Sequence, residues 1–213
     1  MTDTQIRGRC LAVDRMAAIQ RDASTERLIG AAKPFKDLPT RVVRRFSRLE
    51  KGVISCLLGL GDDLADTPVV LTSRYGPMNN TLNLLKAIVE GETMSPTAFS
   101  LSVHNAAIGV ASQLAGNRGA HTAIAAGPDS FRCGLIECEG LLASGQEQVI
   151  LLYSDCGLPE EYAFFGEDAF ELQMALLLKD GGTTPVAVRG ERDDAAMVLE
   201  AMEQGVQGLQ WIA

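Results

Sequence analysis

Histidine is scarce in this chain: of 213 residues only His104 and His121 carry an imidazole. The five cysteines, Cys10, Cys56, Cys133, Cys138 and Cys156, include no Cys-x-x-Cys, so a zinc site has no ligand set to build on. Reduced, mostly buried thiols are the expectation. P-loop, Gly-x-Ser-x-Gly and His-Glu-x-x-His signatures are also missing, which removes three common catalytic patterns. Gly59 to Asp63 lacks the third glycine of a dinucleotide fingerprint and follows a helical pattern instead of a strand. No apolar run nears the roughly 20 residues of a membrane span, and Met1 to Gln5 is polar instead of leader-like. Positive charge is short as well. With 19 Lys+Arg against 27 Asp+Glu, the net charge of −8 disfavours nucleic acid and anionic membrane as partners. The expectation is a cytoplasmic chain with no metal and no cofactor.

What is present is an ordinary globular composition. Hydrophobic residues make up 46% and charged residues 22%, and the length suits one α/β domain over residues 1–213. Arg9 to Val13 reads as a short first strand. Pro39-Thr40 opens a helix whose apolar stripe is Val42, Phe46, Leu49, Val53 and Cys56. Its other side carries Arg41, Arg44, Arg45, Arg48 and Lys51. That cluster is either a solvated face or a dock for an acidic partner. Thr67 to Ser73 is a buried strand leaving into the Gly76-Pro77 turn. Asn79 to Glu90 is a helix with Leu82, Leu85, Ile88 and Val89 on its inner face. Pro96 begins a loop, and Val103 to Leu114 is a helix of small residues suited to close packing. Strand Thr122–Ala126, helix Ser130–Ala143 and strand Gln148–Tyr153 form a βαβ unit. Strand Ala169–Leu178 ends at the Asp180-Gly181-Gly182 turn, Thr184–Arg189 pairs back as a hairpin, and Asp193–Gln204 is an amphipathic helix.

The passage from Ala123 to Ser130 carries the chemistry, or its absence. Ala123-Ile124-Ala125-Ala126 is a buried strand, Gly127-Pro128 a turn, and Asp129-Ser130 a helix start. A nucleophile at such an elbow is activated by the positive end of the helix. Here the tip is Gly-Pro, which attacks nothing. On these residues alone an ordinary βα turn is an equal reading. Cys133 lies about one and a half turns inside the helix, away from the tip, and Cys138 further still. Both read as structural thiols.

Three segments resemble the approach to the active-site cysteine in β-ketoacyl synthases of the thiolase fold. They are Ser95-Pro96, Ser102-Val103-His104-Asn105-Ala106 and Gly116-Asn117-Arg118-Gly119. Counted without gaps from Pro96, the family's cysteine position falls at Pro128, and Gly127-Pro128-Asp129-Ser130 replaces Ala-Cys-Ser-Ser. Catalytic members are about twice as long, and their second half supplies two histidines. His104 and His121 precede the elbow and cannot take those roles. His104 reads instead as a satisfied core or interface histidine.

The chain therefore resembles the short chain-length factors that pair with a ketosynthase in bacterial aryl-polyene-type pathways. The resemblance spans about residues 35–180 and is strongest over 92–153. It implies a truncated thiolase-like half-fold, a mixed sheet covered by helices, whose sheet and small-residue helix need covering. It implies a vacated slot at Gly127, Pro128 and Asp129, and a catalytic ketosynthase subunit as heterodimer partner. Ser102, His104, Asn105, Arg118, Ala120, His121, Thr122, Ala123 and Ile124 would form the partner interface, with Ala120–Ala126 pairing to the partner's strand. Met94, Thr97, Ala98 and Phe99 would line the partner's acyl tunnel, Phe99 or Met94 serving as the ruler. Arg41, Arg44, Arg45 and Arg48 would dock an acyl carrier protein through the complex. Two other readings stay open at this point: a scaffold protein with a degenerate half-fold, and a small acyltransferase using Cys133 or Ser130.

Overall fold

Strand β5 (Val149–Asp155) is buried along its whole length, and the sheet grows outward from it. The computed structural model describes residues 7–22, 24–40, 44, 46–165 and 171–212. On one side of β5 lies β3 (Val69–Thr72), parallel and equally buried, and beyond it the edge strand β4 (His121–Ile124), also parallel. On the other side β6 (Glu171–Asp180) runs antiparallel, followed by β1 (Leu11–Arg21). The outer edge of β1 is shared by β8 (Gly208–Trp211) and by the hairpin strand β2 (Glu26–Gly30). Strand β7 (Val186–Val188) closes that side, parallel to β8. The order β4-β3-β5-β6-β1-β8-β7 gives an eight-stranded mixed sheet among the described residues.

Helices cover both faces. Helix α1 (Arg48–Gly59) and, further along the chain, α4 (Ala106–Ala115) pack one face over Ile19, Leu71, Ile150, Leu152 and Leu177. Helices α5 (Ser130–Ala143) and α6 (Asp194–Glu203) pack the other over Leu151, Met174, Leu176 and Leu178. Successive strand residues point to opposite faces, so the continuous apolar runs of β5 and β6 feed both cores at once. The α/β expectation and the βαβ unit hold, with β3 inserted between β4 and β5.

Several elements differ from the sequence reading. The first strand runs to Arg21 because a bulge between Val13 and Arg15 lets the charged pair Asp14-Arg15 sit on the strand without ending it. The helix expected from Pro39 is interrupted: Phe46 and Ser47 are not helical, and α1 starts afresh at Arg48. The Glu50 carboxylate reaches back to the Ser47 backbone N–H at 2.8 Å and to its hydroxyl, a capping box at Ser47 and Glu50. Arg41, Val42 and Arg45 lie outside the described residues.

Pro96 opens a short helix, α3 (Pro96–Ser100), and not a loop; Ser95 caps it through the Ala98 N–H. The small-residue helix needs no outside cover, since Ala107, Ile108, Ala111 and Ser112 are buried against α1. Residues 186–188 pair with β8 and form no hairpin with β6. Helix α2 (Met78–Glu90) is the largest departure. Its stripe faces outward, with Leu85 46%, Ile88 57% and Val89 87% exposed, while Leu82 is only half-buried. Amphipathic spacing sets which residues share a face, and not what covers that face.

Candidate functional site

The elbow is built by two glycines and a parallel strand. At the end of α4, Gly116 takes φ +67 as the left-handed cap. Asn117, buried, donates from Nδ2 to the carbonyls of Leu64 (2.5 Å) and Thr67 (2.9 Å). A Cβ at Gly119 would stand 2.3 Å from the Thr67 carbonyl oxygen, so only glycine allows the chain to turn in beside β3. The Gly116 to Gly119 turn thus launches β4 in register, Val69 opposite His121 and Thr72 opposite Ile124.

Beyond β4 the backbone passes Ala126 into a 3-10 turn, Gly127–Asp129, and then into α5. Gly127 has φ +58 with open space around it, and Pro128 stands exposed at the tip. The Ser130 hydroxyl is buried, accepts the Ala126 N–H at 3.0 Å and donates to the Gly127 carbonyl at 2.7 Å. Asp129 pairs with Arg132 at 2.9 Å, so the carboxylate at the positive end of α5 is supplied by the protein itself. Ser130 therefore has neither a free lone pair facing solvent nor access for a thioester. Cys133 is half-buried one turn on, and burial pushes the Cys138 thiol above its ordinary range. The tip itself, Gly127-Pro128, carries no nucleophilic side chain.

The expected interface residues separate into two places. His121, Thr122, Ala123 and Ile124 form β4, whose outer edge has no strand neighbour among the described residues. Arg118 and Ala120 are exposed on the turn before it, and Arg118 lies 3.5 Å from Asp66. Ser102, His104 and Asn105 lie in the turns before α4, where the Ser102 hydroxyl donates to the Phe99 carbonyl at 2.8 Å. His104 is not satisfied as expected: its Nε2 is buried with no partner among the described residues. Met94, Thr97 and Phe99 are exposed on and before α3, and Ala98 is half-buried; Phe99 is 60% exposed. Of the basic cluster, Arg44 is exposed, and Arg48 is exposed with Glu171 at 3.8 Å. Arg41 and Arg45 lie outside the described residues. No group of three or more His, Cys, Asp or Glu among the described residues is arranged to hold a metal. None of their helices is long and apolar enough to cross a membrane.

One cluster escaped the sequence reading. Asp155, at the end of β5, receives Ser73 and Arg74 from the end of β3 and the Tyr153 hydroxyl from its own strand. The Arg74–Asp155 pair is 2.8 Å apart and almost fully buried. A signal was available: Ser-Arg-Tyr and Tyr-Ser-Asp close two buried parallel strands, the end of an α/β sheet where sites gather. Outside the elbow, burial pushes the Cys56 thiol up to about 12 and raises the Cys10 and Cys156 thiols as well.

No curated protein matches this sequence. Among solved structures, the complex of the ketosynthase ApeO with its chain length factor ApeC from Xenorhabdus doucetiae is similar, with 25% identity and a TM-score of 0.71. That likeness covers 81% of this chain and 80% of the other. The ishigamide ketosynthase/chain length factor aligns at 14% identity and a TM-score of 0.64, over 80% of this chain and 62% of the other. A β-ketoacyl synthase from Burkholderia phymatum STM815 aligns at 11% and 0.60, over 94% of this chain and 62% of the other. These last two show the shared fold, of which this chain spans only a part. The β-ketoacyl synthase N-terminal domain matches residues 19–213, nearly the whole of the sequence. The chain belongs to the β-ketoacyl synthase N-terminal domain family and has its thiolase-like α/β fold.

Proposed function

We propose that this chain is the non-catalytic chain-length-factor subunit of a heterodimeric β-ketoacyl-ACP synthase, working in the cytoplasm in polyene- or polyketide-type elongation. The observation that carries the reading is the elbow, where an exposed Pro128 stands at the tip and the Ser130 hydroxyl is spent on the elbow's own backbone. Covalent condensation needs a nucleophile and a base in reach of it. Neither is offered. The likeness to a ketosynthase–chain length factor complex at 25% identity supports the pairing. So do an edge strand with an open side and apolar side chains left uncovered on α2 and α3.

In this reading β4 extends its sheet into the ketosynthase, and Met94, Thr97, Ala98 and Phe99 border that partner's acyl tunnel. Phe99 or Met94 stops the growing chain by occupying the tunnel's end. The acyl carrier protein, acidic, meets the complex at Arg44 and Arg48 together with Arg41 and Arg45. Co-expression with a ketosynthase encoded nearby tests the reading. A stable complex is expected, with Phe99→Ala or Met94→Ala lengthening the product. A ketosynthase that is soluble and makes full-length product without this chain would refute it, and unchanged length in both variants would remove these residues as the ruler.

A further inference from the structure

Between β3 and α4 the chain makes an excursion that carries α2 and α3, and its root is polar and buried while its far side is apolar and open. Asp155, 3% exposed, is the hub of that root. Its Oδ1 accepts the Ser73 hydroxyl at 3.0 Å and the Arg74 N–H at 2.8 Å. Its Oδ2 accepts Arg74 Nε at 2.8 Å and the Tyr153 hydroxyl at 2.7 Å. The Ser73 oxygen in turn accepts the Gly76 N–H at 2.8 Å, which bends the chain directly after β3.

Gly76 has φ +61, and a Cβ there would come within 2.8 Å of the His104 ring. The turn that Ser73 holds is thus the surface against which His104 rests. Two residues into α2, Asn80 donates from Nδ2 to the carbonyl of Leu101, the residue that caps α3, at 3.1 Å. The segment with Met94 and Phe99 is therefore tied down at Leu101 and at His104, and both ties lead back through residues 76–80 to Ser73 and Asp155. By contrast, no residue of α2 or α3 is fully buried. Helix α3 buries no side chain fully, and the hydrogen bond from Asn80 to Leu101 ties it to the root.

We propose that Asp155, acting through Ser73, is a positioning residue for α3, and so sets where Met94 and Phe99 stand against the partner's tunnel. The proposal rests on the chain-length-factor reading and deepens it. A carboxylate that gathers a serine, a backbone N–H, a guanidinium and a phenol leaves the turn one geometry. A displacement of the root is carried through Leu101 and His104 to the segment that holds the ruler.

The test is the product-length distribution of the ketosynthase complex carrying Ser73→Ala or Asp155→Asn, with Val198→Ala, buried in α6 on the sheet face away from α1 and α4, as a control for stability. Both root variants should still co-elute with the ketosynthase while the main product loses share to neighbouring lengths. Val198→Ala should keep the original distribution despite a lower melting temperature. In the free chain, Ser73→Ala should speed amide exchange across 78–101 and leave β5 unchanged. If Asp155→Asn fails to fold, Ser73→Ala decides. An unchanged distribution in Ser73→Ala, or the same shift in Val198→Ala, overturns the proposal. If the unmodified chain binds no ketosynthase, the subunit reading itself fails; amide exchange then still judges the root, and no change in 78–101 overturns it.

Discussion

The Ala126 N–H donates to the Ser130 Oγ at 3.0 Å, closing the elbow on itself where a reactive side chain would otherwise stand. The hydroxyl completes the ring by donating to the Gly127 carbonyl. A buried backbone N–H must find a partner, and at this elbow the partner is the serine at the start of α5. The arrangement keeps the strand-to-helix geometry without requiring any group at the tip.

Placing a thiol at the tip should therefore give reactivity without catalysis. Pro128→Cys puts sulfur at the positive end of α5, and its alkylation by iodoacetamide should outpace that of half-buried Cys133. No condensation product should form from the isolated variant, because no histidine follows the elbow. Elongated product from that protein alone would sink the non-catalytic reading.

Strand β4 offers a sharper handle. The Val69 N–H donates to the Ala120 carbonyl and the Ser73 N–H to the Ile124 carbonyl, so even-numbered residues of β4 face β3. Backbone groups alternate along a strand, and Ala123 therefore directs its N–H away from the sheet. Ala123→Pro removes a donor that the chain does not use itself, and edge strands tolerate proline. The melting temperature should stay within about 4 °C of the parent, while co-elution with the ketosynthase is lost. Retained co-elution would show that the partner does not add a strand here.

Acid should loosen one tie between β1 and the end of α1. Arg15 grips Asp63 with two bonds, 2.6 and 2.7 Å, and also donates to the Leu60 carbonyl. The hydrogen bonding from Arg15 lowers the Asp63 carboxyl from 3.8 to about 2. A folded-state value below the unfolded one means the stabilisation is complete above about pH 4 and disappears as pH falls through about 2. Asp63→Asn should lower the melting temperature slightly near neutral pH, since the pair is exposed, and the gap should shrink towards pH 2. A gap that stays constant through that range would show that the charge contributes nothing.

Two leucines should separate core from surface. Leu135 is fully buried in α5 and Leu85 is 46% exposed on α2. Leu135→Ala should cost about 2–5 kcal/mol in denaturant unfolding. Leu85→Ala should cost under about 1 kcal/mol, and a larger loss would mean that α2 is covered by its own chain.

The α/β architecture was legible because β3, β5 and β6 carry continuous apolar runs, Val69 to Leu71, Val149 to Tyr153 and Met174 to Leu178, a pattern that suits a sheet covered on both sides. Helix α5 was legible to its end residues. Strand β2 was not, since its side chains are largely exposed and carry no period. Nor was β8, whose pairing with β1 and β7 joins residues far apart in sequence. The Ser47 capping box was visible in the letters, yet the longer apolar stripe around it masked the break.

By itself the sequence determined that this is an acidic α/β domain whose strand-to-helix turn carries Gly127-Pro128 at its tip, because residue identity there needs no coordinates. Only the tertiary structure decided that Ser130 is spent on the elbow backbone, that α2 turns its leucines outward, and that Asp155 gathers the root of the α3 excursion. Each of these depends on which distant groups meet. Local periodicity assigns a residue to a face, but long-range packing alone decides whether that face finds a cover or a carboxylate finds its donors.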